Sequence, residues 1–147
     1  MTVSTIAGPG NVGLHIETHD ARMTSTNAVT KGDVVSVTTA TVDSTTDRYD
    51  TVGQPVTAEL EFGLFAVALE DVAAGGEGWF RFKGVVDALI TGTPAVGAAV
   101  AAGNASDALG AIATNEKCLG YMIELGVDAT LKKVYFDGIA GFGHNET

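Results

Sequence analysis

The sequence predicts an all-β protein: a small β-barrel or β-sandwich body over residues 31–140, an extended N-terminal arm over 1–30 and a flexible tail over 141–147. Three observations predict it. The 147-residue chain carries 19 glycines and abundant Thr, Val and Ala, without the Glu/Lys/Leu blocks of long helices. Its apolar segments are short, and glycine-containing turns separate them. Hydrophobic residues make up 46% and charged residues 18%, which supplies one core and excludes a disordered chain.

Each element follows in order. Residues 1–30 are mostly polar, with Gly8-Pro9-Gly10 as a breaker and one alternating run from Val12 to Glu17. Ile6, Val12, Leu14 and Ile16 are too few to fold alone, yet enough to add a strand to a partner's sheet edge. On that reading, deleting residues 1–28 leaves a folded body. Lys31-Gly32-Asp33 is a turn into the β-branched strand 34–39, and the polar stretch from Asp43 to Asp50 is a solvated loop. Residues 62–70 are a nearly continuous apolar run, read as a buried strand with a short helix as the alternative. After the turn Gly75-Gly76-Glu77-Gly78, residues 79–84 alternate cleanly and Gly84 closes them. Phe80 and Phe82 share one face there, with Trp79, Arg81 and Lys83 on the other.

The alanine-rich stretch 95–113 has helical propensity, but Gly97, Gly103 and Gly110 interrupt it. Two short strands around Asn104-Ala105-Ser106-Asp107 are the preferred reading. Next come the strand 119–124, a turn at 126–128, and the strand 133–138, with Val134 and Phe136 on one side and Tyr135 on the other. This last hairpin repeats the layout of the hairpin at 62–84. Paired hairpins of this kind close small barrels and hide sheet edges.

A formal net charge of −10 argues against direct nucleic-acid binding, which needs a basic surface. Acidity of this kind suits the outside of a DNA container. No stretch is long and apolar enough for a membrane span, and residues 1–10 lack a signal-peptide pattern, so synthesis in the cytoplasm and no membrane partner are expected. A single cysteine, Cys118, excludes an intrachain disulfide and reads as a small core residue.

Catalytic chemistry is thin. His15, Glu17 and His19 at alternate positions invite a zinc reading, but an arm offers no framework to hold such ligands. The Asp43 to Asp50 loop lacks the ligand pattern of a calcium loop. Glu70 and Asp71 are adjacent on a strand, so they face opposite ways and mark its exit to water. Neither a phosphate-binding loop nor a nucleophile elbow is present. No catalytic residue, metal or cofactor is assigned, and the chain is expected not to be an enzyme. Trp79 and Tyr135, the outward aromatics, are the interface candidates beside Ile6, Val12, Leu14 and Ile16.

Several of these segments together resemble a known family. Lys31-Gly32-Asp33-Val34-Val35, the run from Gly63 to Gly76, Gly78-Trp79-Phe80-Arg81-Phe82-Lys83-Gly84, the run from Val96 to Val100, Leu119-Gly120-Tyr121-Met122-Ile123-Glu124 and Val134-Tyr135-Phe136-Asp137-Gly138 are similar to the capsid cement (head decoration) proteins of tailed bacteriophages. The resemblance implies a compact β domain, commonly a homotrimer, bound to the major capsid protein on the outer surface of the virion and stabilising the shell without catalysis. Residues 1–30 and the Asp43 to Asp50 loop are additions to that pattern. The alternative expectations are a carbohydrate- or receptor-binding β module on a virion or cell surface, and a tail or head-completion subunit.

Overall fold

The computed structural model describes residues 2–4, 13–15, 17–37, 42–43, 48–56, 59–104 and 106–145, and no α-helix occurs among them. In chain order, β1 (Thr2–Ser4) pairs antiparallel with β2 (Gly13–His15), Val3 opposite Leu14. β3 (His19–Ser25) and β4 (Val34–Val37) follow, then β5 (Val42–Asp43) and β6 (Arg48–Tyr49), which pair only with each other. β7 (Thr51–Gly53), β8 (Phe65–Ala68) and the long β9 (Glu77–Ile90) complete the first half. The second half contains β10 (Ala99–Ala102), β11 (Leu109–Ala111), β12 (Glu116–Lys117), β13 (Gly120–Met122), β14 (Thr130–Asp137) and β15 (His144–Asn145).

The main sheet closes on itself twice, and β9 belongs to both closures. Its first part pairs with β3 and with β8, completing the circuit β9–β3–β7–β4–β8. Its second part pairs with β14 and, at Ile90, with β11, completing β9–β14–β13–β10–β11. Closure leaves few bare edges, which protects a small β protein from pairing with other chains.

Each barrel has its own core. Phe80 and Phe82 of β9 pack with Met23, Val35, Val37 and Val52 in the first. Val86, Ala88 and Ile90, further along the same strand, pack with Val100, Leu109, Leu119, Val134 and Phe136 in the second. β4 and β8 separate the two. Val34, Phe65 and Val67 belong to the second core, whereas Val35, Ala66 and Ala68 belong to the first. A strand buried on both faces has no polar alternation, which explains the unbroken apolar run 64–69.

β9 does not stop at Gly84, as the sequence suggested, but runs on to Ile90. Gly84 has φ +124°, and a Cβ there would sit 2.8 Å from Thr18 Cγ2. Glycine accepts both conditions and so bends the strand without ending it. The ladder with β3 ends at Lys83, one residue before this bend and with a register shift at His19/Asp20. The ladder with β14, on the opposite edge of β9, starts at the same Lys83 and runs to Ile90.

Three further segments differ from expectation. Residues 19–25, assigned to the arm, form β3 and pair with β9 from His19↔Lys83 to Thr24↔Glu77. Their inward side chains are the small Ala21, Met23 and the buried Ser25, while Asp20 and Arg22 face outward, so the strand carries little hydrophobic signal. The Asp43 to Asp50 stretch contains the β5–β6 ladder rather than only loop. The tail returns to the body, where β15 pairs with β12 and Phe142 N donates to Cys118 O at 2.9 Å. The two strands expected around residues 104–107 are β10 and β11, with Val100 opposite Ala111. Cys118 is buried.

Candidate docking face

Alternation on β13, β14 and β9 sends the odd-numbered side chains outward. The register then sets Tyr121 beside Tyr135 and Tyr135 beside Val85 in one row. In the next row Lys133 lies opposite Asp87, and Ile123 N donates to Lys133 O at 3.0 Å. Leu131 lies opposite Leu89 in a third row. Tyr121, Ile123 and Leu131 are exposed large hydrophobic side chains, and Val96 (64%), Leu125 (59%) and Val127 sit on the loops beyond them. Those loops are tied together by Gly97 N to Met122 O and Gly126 N to Pro94 O, each 2.8 Å. The result is a largely apolar sheet face with one ion pair inside it, Lys133 Nζ to Asp87 Oδ1 at 3.2 Å. Clustered exposed apolar side chains on a rigid sheet are a common signature of protein contact.

Tyr135 is therefore on this face, but partly covered. Phe142 packs on both Tyr121 (centroids 5.1 Å apart) and Tyr135 (5.7 Å), which gives the tail a structural task. Trp79, 45% exposed, is on the outward side of the same strand β9, six residues before Val85. At about 3.3 Å per residue that is roughly 20 Å away. Its register partner is Arg22, and its own N–H donates to Glu70 Oε2 at 3.1 Å. The structure thus puts the two aromatics on one strand system without bringing them together. Ile6, Val12 and Ile16 lie outside the described residues; Leu14 is in β2, where only its backbone is described. Tyr121, Ile123 and Leu131 went unnoticed in the sequence, although the alternation in 119–124 and 131–135 contained the signal.

Between Trp79 and Val85 stands Arg81. Its Nε and Nη2 donate to the two oxygens of Asp20 at 2.8 and 3.0 Å, and Nη1 donates to Val85 O at 2.9 Å. The guanidinium holds the Asp20 carboxyl below the usual range, and Asp20 in turn raises Arg81. This bidentate pair fastens β3 to β9. Because the folded-state pKa of Asp20 is depressed, its stabilisation is present above the unfolded value of 3.8 and lost as pH falls through the folded value. Asp20→Asn is expected to lower unfolding free energy by about 1 kcal/mol at neutral pH. Urea titrations should show wild type and variant converging as both are acidified, and a constant gap down to about pH 2 would contradict the pairing.

Lys117 is a second fastening that sequence reading passed over. It is buried, and its ammonium donates to Gly63 O at 3.0 Å and Ile139 O at 2.8 Å. Burial lowers its pKa, with nearby Asp137 acting in the opposite sense. Asp137 Oδ1 accepts from Ile139 N and Ala140 N, both at 3.0 Å. Lysine and aspartate together clamp the chain after β14 to the loop before β8. Glu70 and Asp71 point to separate backbone donors, Trp79 N and Lys31 N, consistent with a strand exit and not with a paired acid–base site. Among the described residues, no group of three or more His, Cys, Asp and Glu side chains could hold a metal ion.

No protein-family model matches the sequence, and no curated protein matches it. Among solved structures, the chain is similar to the N base of the head fiber gp8.5 of bacteriophage phi29, with TM-score 0.59 and 11% sequence identity. The superposition covers 87% of this chain and 100% of that one. The two share a fold. The likeness extends through both halves of the molecule rather than through one hairpin.

Proposed function

We propose that this chain is a non-catalytic structural protein of a tailed-phage head, attached to the outside of the shell as a cement or decoration subunit and working in threes. The observation that carries the reading is the fold, which matches a phage head-fiber base over the whole of that base. The sequence segments similar to cement proteins support it, as does an acidic surface suited to the exterior of a DNA container. A protein that binds only the assembled shell stabilises it by RT ln(1 + [L]/Kd), and three linked contacts multiply weak affinities by roughly 10² to 10⁴. The apolar face of β9, β13 and β14 is the surface proposed to meet the shell.

The test uses shells assembled from the major capsid protein of the phage head to which this reading assigns the chain. The purified chain should co-sediment saturably with those shells and raise their resistance to heat or chaotrope. Ile123→Ser with Leu125→Ser should weaken binding at least tenfold, in line with loss of a buried anchor, while the circular dichroism spectrum stays unchanged. Absence of shell binding together with specific retention on a glycan array would replace this reading with a receptor-binding one.

A further inference from the structure

Beside the docking face lies a cleft of about 270 Å³ whose lining includes Lys31, Arg81, Lys133 and a single carboxylate, Asp87. In a chain of net charge −10 with eight Lys and Arg in all, three cations gather around one concavity, with Asp87 in the lining, Asp20 on Arg81 and Asp71 on the Lys31 turn as the neighbouring carboxylates. The three are not equivalent. Arg81 is saturated by Asp20 and Val85 O. Lys133 is held by Asp87 in an exposed pair, the kind that contributes only about 0–1 kcal/mol and exchanges readily. The Lys31 ammonium has no carboxylate partner among the described residues.

The frame around them is rigid. Lys31 belongs to a turn held by Thr30 N to Asp33 Oδ2, Lys31 N to Asp71 Oδ1, Gly32 N to Ala68 O and Leu89 N to Gly32 O, each 2.8 Å. Leu131 packs over Gly32, so the turn is pressed against β14. Lys31 and the Asp87-paired Lys133 are thus both carried on hydrogen-bonded backbone and both line the cleft, together with Leu69 and Val85.

We propose that this cleft receives an Asp- or Glu-bearing segment of a different protein, with one carboxylate lodged between Lys31 and Lys133 and displacing Asp87 from the latter. Charge complementarity selects the occupant. An acidic side chain held on a partner's surface finds here a recess lined by three cations and one carboxylate, next to an apolar face. The inference goes beyond the reading of the protein as a head component, because the recess would act on any acidic partner segment.

The experiment titrates the full chain with acetyl-tetraglutamate amide and follows backbone amide shifts by NMR. Saturable shifts should centre on Lys31, Val85, Asp87 and Lys133 and shrink with added salt. Lys31→Glu with Lys133→Glu should weaken binding at least tenfold, and Asp87→Asn, which removes the internal competitor, should strengthen it. Three results would overturn the proposal: no saturable shift in the cleft, sulfate competing as well as the peptide at equal ionic strength, or an affinity for the Asp87→Asn variant no higher than that of wild type. Dissociation of a self-assembled oligomer by the double variant would also overturn it, by assigning the cleft to a second copy.

Discussion

Gly138→Ala is expected to leave no soluble, folded protein. A Cβ at that position would sit 1.8 Å from Phe65 O and 2.5 Å from its carbonyl carbon, with Phe136 Cε2 at 2.9 Å. The backbone cannot retreat, because Phe65 N donates to Gly138 O at 2.9 Å and Gly138 N donates to Phe82 O at 2.8 Å. Position 138 is thus where the end of β14 locks onto both β8 and β9, and moving it opens ladders in both barrels. The cost should exceed about 4 kcal/mol, a large share of the 5–15 kcal/mol by which domains of this kind are stable. Gly75→Ala is the control: nothing lies within 4 Å of its would-be Cβ, and only its φ of +78° is unfavourable, worth about 1 kcal/mol. Soluble yield and the near-ultraviolet circular dichroism spectrum separate the two, and a Gly138→Ala protein melting within a few degrees of wild type would refute the packing described.

The second large effect concerns the N-terminus. Removing residues 1–28 takes away β3, its ladder with β9, the Asp20–Arg81 pair and Met23 from the first core. The remaining circuit cannot close, since β3 is the link between β9 and β7. That truncation should be insoluble or unfolded. Removing residues 1–16 instead deletes β1 and β2, which among the described residues pair only with each other, and leaves every strand of the main sheet. It should fold with a melting temperature close to that of the full chain. Equal stability of the two truncations would mean that β3 contributes nothing, contrary to its placement.

What the sequence made legible follows from how burial writes itself into a chain. Strands with one buried face announce themselves: Trp79 to Lys83 alternates, and so do Val134, Tyr135 and Phe136. β8 was legible as buried because four consecutive apolar residues at 65–68 have nowhere wet to point. β3 was not, because one alanine, one methionine and a buried serine are its inward residues and its outward ones are polar or charged. The continuation of β9 past Gly84 was hidden by a glycine that elsewhere marks a strand end. The exposed apolar face of β9, β13 and β14 was half legible. Tyr135 was read as outward from its own strand, and local alternation also marks Tyr121, Ile123 and Leu131 as outward. Their gathering into one face, however, comes from registers that only long-range pairing sets, and the cover supplied by Phe142 has no local signature at all.

β9 is a wall held in common by two chambers, and β4 with β8 is the partition between them. Neither chamber can melt and leave the other standing, because whichever goes first strips its neighbour of a side. The molecule should therefore behave as a single all-or-none unit despite its two separate interiors, with no half-open form to offer proteases or stray sheet edges. For the exterior shell subunit proposed above, that indivisibility would itself be a form of durability.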